Sequence, residues 1–288
     1  MNSQSSAVAD ALAWAATILA VVASAVGLFV TGLYRDVPFW AEQARGIDLA
    51  TLLLAVPILV LGLVAARGGS LIGRLVVVGA LLYLVYNYLI YTTSVTMNRL
   101  AIVYIATLGL STWSLVLMML RTDLRAAGAG ALRRLPRRTT AALLTIVALL
   151  FALLWLSQIA AFTTSGTLPT DLKRANLPAN PVYALDLGLF LPLAVVGGVG
   201  VLRRRATAAA FALPMLIWVL LTSAGVIGGF IFESGAGEAV PVPVVGVISA
   251  LAILAAVLAS VAIFRRGASI GQRVLQERMA AASCQWAN

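Results

Sequence analysis

Eight runs of about twenty or more mainly apolar residues fill most of the chain, each bounded by arginine, proline, glycine or acidic positions. A helix rises 1.5 Å per residue, so a hydrocarbon layer ~30 Å thick takes ~20 apolar residues to cross. The pattern predicts spans near 9–33, 47–66, 72–95, 100–120, 140–163, 184–202, 207–232 and 242–264. The expected fold is an all-α polytopic transmembrane bundle of about eight spans, one transmembrane domain over 1–288. Residues 1–9 carry no Lys or Arg, and the first run exceeds the roughly 7–15 residues of a signal peptide's apolar region. It is therefore read as a retained span.

Polar positions inside the runs are few and patterned. In the third run Tyr83, Asn87, Tyr91, Ser94 and Asn98 fall within an arc of about 80° at ~100° per residue. That predicts one polar helix face in the half of the run that follows Tyr83. A tyrosine belt at the headgroup level accounts for Tyr91 and Tyr88, whereas Asn87 and Tyr83 lie too deep for it. Asp48 and Asp186 are expected at helix starts, where a carboxylate caps free N–H groups and complements the dipole. Glu233 closes the seventh run, where the dipole opposes it, and Arg99 or Lys173 is its expected partner. Gln158 sits in the outer third of the fifth run.

Unpaired amides are costly in hydrocarbon. Tyr83, Asn87, Asp48, Asp186 and Gln158, with Glu233, are therefore the candidate ligand-binding residues, expected to share one outward-opening polar pocket. Its acids would favour a cation or a cationic headgroup. Ala16, Ala20 and Ser24, and Gly225 and Gly229, recur at four-residue spacing and predict close helix packing. Pro57, Pro192 and Pro214 fall within spans.

Charge sets the orientation. Laid end to end, the eight spans put 15 of the 20 Lys and Arg on one side, including Arg67, Arg74, Arg121, Arg133–Arg138, Arg203–Arg205 and Arg265–Arg266. The other side holds Arg35, Arg45, Arg99, Lys173 and Arg174 with seven of the ten acids. By the positive-inside rule both termini are cytoplasmic in a bacterial plasma membrane, with the arginine clusters facing anionic inner-leaflet lipids. The basic connection 122–138 divides the chain into halves 1–121 and 139–264, each with a second helix running Asp, Pro, Arg, as in parallel four-helix halves related by a repeat. The tail 265–288 reads as an amphipathic helix on the inner leaflet or a surface that docks a partner protein.

Composition then narrows the chemistry. The chain is 62% apolar and 10% charged, against roughly 25% charged in soluble domains. Its net charge of +10 lies between apolar runs rather than in a stripe, which argues against nucleic acid. There is no histidine and one cysteine, Cys284. Haem on histidine, histidine-ligated zinc and a Ser-His-Asp triad lack their parts, so no metal, cofactor or catalytic residue is assigned.

The stretches Gly46-Ile47-Asp48-Leu49 with Val56-Pro57, Tyr86-Asn87-Tyr88-Leu89 and Asn180-Pro181-Val182-Tyr183-Ala184-Leu185-Asp186-Leu187 resemble a group of uncharacterised bacterial multipass membrane proteins. The resemblance implies the fold and carries no activity. Three functional readings remain open: a small-solute or lipid permease, a non-catalytic membrane subunit or scaffold, and a membrane-embedded enzyme using carboxylates.

Overall fold

The computed structural model describes residues 3–265. Among the described residues, eight helices are long and apolar enough to cross a membrane: span 1 (Ala7–Phe29), span 2 (Pro38–Arg67), span 3 (Leu71–Ser94), span 4 (Ala101–Arg121), span 5 (Arg137–Ser165), span 6 (Pro181–Leu202), span 7 (Ala206–Gly235) and span 8 (Val242–Phe264). The protein is an all-α polytopic bundle. Large apolar side chains such as Leu61, Ile102, Leu120 and Phe264 are exposed on its perimeter, where lipid is the solvent that accepts them. The expected tail helix and Cys284 lie outside the described residues.

Successive spans alternate in direction, which gathers the charges into two ends. Arg134 donates to the carbonyls of Ala262 and Ile263 at the end of span 8, and Arg67 lies 4.0 Å from Asp10 at the start of span 1. At the opposite end Arg174 bonds Glu238, and Arg45 pairs with Glu42 at 3.0 Å. Lys173 thus lies across the bundle from the cluster Arg133–Arg138.

The connections carry more structure than their composition suggests. The basic loop contains a helix, Leu124–Arg134, capped by Asp123, whose carboxylate accepts from the Ala126 amide at 2.9 Å. The connection after span 5 contains Thr170–Ala175. Span 2 begins at Pro38, nine residues before the predicted 47. Glu42, Gln43 and Arg45 lower the hydropathy there, yet proline at the first position suits a helix start because its missing N–H had no helical partner.

Span 3 is the centre of the bundle. It is buried nearly all round from Ile72 to Tyr91, and spans 2, 4 and 7 pack against it. Tyr88 and Tyr91 are 3% and 4% exposed, so the expected tyrosine belt gives way to a tyrosine core. Span 1 packs on span 4 through Ala13, Ala16 and Ala20, and Ser114 donates to the Ala9 carbonyl at 2.9 Å. The predicted small-residue faces are contact faces. Spans 2 and 7 approach closest at Gly46, Gly228 and Gly229, where backbone meets backbone.

Spans 2 and 6 share an interruption. Each contains a five-residue π turn, Thr51–Ala55 in span 2 and Asp186–Phe190 in span 6, and each turn ends two residues before a proline, Pro57 and Pro192. Proline has no N–H for the carbonyl four residues back and its ring crowds that carbonyl. The widened π ladder, with Val56 N–H donating to Thr51 O and Leu191 N–H to Asp186 O, accommodates the misfit.

A buried carboxylate and an amphiphilic cavity

The six candidate residues separate into distinct settings rather than one pocket. Asp48 is 2% exposed and lies where spans 1, 2 and 3 meet. Its Oδ2 accepts from Tyr34 Oη at 2.5 Å and its Oδ1 from Tyr91 Oη at 3.1 Å. The Tyr91 hydroxyl shares that one proton with the Ala44 carbonyl at 2.8 Å. Gly27 on span 1 leaves the room, since a β-carbon there would lie 1.9 Å from Asp48 Oδ2. Asp48 is ten residues into its helix and caps nothing, which overturns the capping expectation. Burial and the neighbouring Asp48 push the Tyr34 phenol well above its ordinary value near 10.

Tyr83 belongs with this group. Its hydroxyl meets Thr51 Oγ1 at 2.9 Å and donates toward the Ile47 carbonyl at 3.3 Å, so it ties span 3 to the π turn of span 2.

Asp186 and Asn87 line a different space. Between spans 2, 3, 5, 6, 7 and 8, toward the acidic end, lies a cavity of about 310 Å³. Its walls are apolar, with Phe151 and Leu154 from span 5, Val226 and Phe230 from span 7, and Ile248 and Leu251 from span 8. Polar atoms enter through Asn87, Asp186, Thr222 and Gln43. Asp186 opens the π turn of span 6 and is 5% exposed. Its Oδ2 accepts from the Trp155 indole N–H at 2.8 Å, whereas its Oδ1 has no partner among the described residues. Trp218 Nε1 and Thr222 Oγ1, also from lining residues, are buried without partners too. Asn87 donates to the Tyr83 carbonyl at 2.9 Å. Below the cavity, Phe190 stacks on Trp218 with centroids 4.9 Å apart, and the Tyr86 ring meets both edge-on.

The capping role expected for Asp186 falls to Asn180, whose Oδ1 accepts from the Val182 amide at 2.9 Å. Gln158 lies outside the cavity, where its side-chain amide meets Tyr183 Oη, a hydroxyl whose one proton faces Asp171 at 3.0 Å as well. Glu233, fully buried, accepts from Gln43 Nε2 rather than pairing with Arg99 or Lys173. Its Oε2 has no partner among the described residues. Tyr91 is the wall between the two regions, because its ring lines the cavity while its hydroxyl holds Asp48.

The residues that sequence reasoning missed are Tyr34, Gln43, Trp155, Trp218 and Thr222. For the tryptophans a signal was present: an indole N–H deep in an apolar span needs an acceptor, and only acids and amides supply strong ones there.

Spans 5 and 8 are buried toward the arginine-rich end and lose that burial toward the acidic end. Span 5 is buried at Leu143, Leu144, Val147 and Ala148 and has no buried residue beyond them, while the buried positions of span 8 begin only at Ile248. Leu154 of span 5 and Val244 of span 8 line the cavity and are 42% and 45% exposed, so the cavity has a side facing the perimeter between these helices. At its outer rim Trp40, Gln43 and Phe230 separate it from a smaller cleft beneath Thr170–Ala175. The chain matches no protein family, no curated protein and no solved structure.

Proposed function

We propose that this membrane protein is a permease for lipid-like amphiphiles, which pass from the bilayer into the cavity through the gap between spans 5 and 8. The carrying observation is an apolar chamber that holds a few polar groups and is bordered by the exposed Leu154 of span 5 and Val244 of span 8. A polar head loses its water partners in hydrocarbon at a cost of several kcal/mol, and a chamber with hydrogen-bonding groups lowers that barrier. The π turns beside Pro57 and Pro192 give spans 2 and 6 a place to bend. Their common position relative to the prolines supports 1–121 and 139–264 as related halves.

The same reading orients the arginine-rich end toward the cytoplasm of a bacterial cell, by the positive-inside rule. Arg125, Arg204 and Arg205 border a shallow groove there, suited to anionic headgroups.

The test is transbilayer movement in vesicles containing the purified full chain. Labelled single-chain amphiphiles with cationic, neutral and anionic heads are loaded in one leaflet, and their appearance in the other is timed. At least one should cross about ten times faster than in protein-free vesicles, and Val226→Trp, which fills the cavity, should abolish the gain. Rates equal to protein-free vesicles for all three overturn the reading.

A further inference from the structure

We propose that the cavity selects amphiphiles with a cationic head, an alkylammonium above all, and that Asp186 is the counter-ion. The proposal takes its setting from the permease reading and its chemistry from the cavity alone. Asp186 is the single charged group among the lining residues, and no Lys or Arg joins it there. One carboxylate oxygen is held by the Trp155 indole N–H at 2.8 Å, and the other has no partner. A buried carboxylate with only neutral donors, the Trp155 indole and the adjacent Tyr86 hydroxyl, is undercompensated, because burial removes the water that would otherwise solvate its charge. A cation in the cavity supplies what the protein omits.

The surroundings fit the same ligand. Trp155, Tyr86 and Trp218 all line the cavity near Asp186, and ring faces attract ammonium groups through the aromatic quadrupole. Apolar walls from Phe151 to Leu251 accept an alkyl chain. Trp218 Nε1 and Thr222 Oγ1 remain for an ester, ether or hydroxyl oxygen beside the charge. An anionic head would instead meet Asp186 with no neutralising residue. A neutral head could satisfy the donors and still leave the carboxylate charge uncompensated.

The experiment uses the full chain in nanodiscs of zwitterionic lipid, with empty nanodiscs as blank. Dodecyltrimethylammonium, dodecyl maltoside and dodecyl sulfate are titrated separately, reading the change in intrinsic fluorescence, to which the lining residues Trp40, Trp155 and Trp218 contribute among the six tryptophans. The ammonium compound should bind about ten times more tightly than the maltoside, and the sulfate more weakly still. Asp186→Asn should erase the preference while Asp48→Asn, a buried carboxylate outside the cavity, keeps it. The comparison of heads on the unsubstituted protein stands even where a variant fails to fold. Equal affinity for the three heads, tighter binding of the sulfate, or a preference retained by Asp186→Asn overturns the assignment. A cation preference without transbilayer movement of any amphiphile supports the assignment and overturns the permease reading.

Discussion

Gly46 and Gly229 meet backbone to backbone: a β-carbon on Gly46 would lie 1.9 Å from the Gly229 nitrogen. No rotamer change relieves such a contact, because the obstructing atom belongs to a helix. Gly46→Ala must therefore separate spans 2 and 7, the most closely packed pair linking the two halves. The expected loss is about 1–3 kcal/mol, the usual cost of overpacking. Gly109→Ala in span 4, where a β-carbon meets nothing within 4 Å, should be neutral or stabilising, since alanine favours helix by up to ~1 kcal/mol over glycine. Thermal unfolding of the two variants in the same detergent separates them, and equal midpoints would refute the close crossing.

The Tyr34 hydroxyl should hold Asp48 in place and titrate late. A hydrogen bond contributes about 0.5–1.5 kcal/mol between neutral groups and up to about 3 with a charged one, so Tyr34→Phe should lower stability by about 0.5–3 kcal/mol near neutral pH. The pH dependence has a definite sign. The folded pKa of Tyr34 is raised above its ordinary value near 10, so the folded state holds the phenolic proton more tightly than the unfolded chain does. Its contribution is fully present below about pH 10, the unfolded value, and is lost as pH rises above it through the folded value. Unfolding midpoints should fall more steeply above pH 10 for the unsubstituted protein than for Tyr34→Phe. Parallel curves would contradict the burial of this hydroxyl.

Much of the architecture was legible because lipid imposes a simple rule: every span must be long, apolar and helical. The eight spans, the separation of arginines from acids, and the packing roles of Ala16, Ala20 and Gly229 follow from that rule and from residue size. The start of span 2 did not, since Glu42, Gln43 and Arg45 break the apolar run yet belong to the helix. The site was legible only in part. Helical periodicity assigns Asn87, Tyr83 and Tyr91 to one face of span 3, but that face is broad enough to touch two neighbourhoods. Asn87 meets the cavity, whereas Tyr83 and the Tyr91 hydroxyl turn toward span 2. Asp48 and Asp186 looked equivalent in sequence. The π turns show the difference: aligned on their prolines, Asp186 corresponds to Thr51, and Asp48 lies three residues earlier.

Removing either proline should tighten its span. In Pro192→Ala the new N–H can bond the Gly188 carbonyl four residues back and draw the π turn toward regular helix. Amides of 186–191 should then exchange more slowly with deuterium, by about ten-fold or more. Leu202, at the end of the same helix, should be unaffected. Unchanged exchange across 186–191 would show that the proline does not maintain the π turn.

Access from the side makes the last prediction. Leu154 lies on the outer half of span 5, is 42% exposed and lines the cavity, so it stands at the gap between spans 5 and 8. A tryptophan there adds bulk at the opening without altering Asp186, Thr222 or the aromatic floor. Leu61 on span 2 is 68% exposed and lines no part of the cavity, so Leu61→Trp makes a comparable change on an unrelated lipid-facing surface. If amphiphiles arrive through the bilayer, Leu154→Trp should slow binding from nanodisc lipid about ten-fold while leaving the equilibrium affinity within about two-fold, and Leu61→Trp should do neither. Stopped-flow tryptophan quenching by a membrane-dissolved amphiphile measures the rate, with each variant's own fluorescence as baseline. A water-side route past Trp40, Gln43 and Phe230 predicts the opposite: Leu154→Trp would bind at the normal rate, and bulk introduced at Gln43 would slow it. That result would move the opening from the lipid face to the acidic end of the bundle.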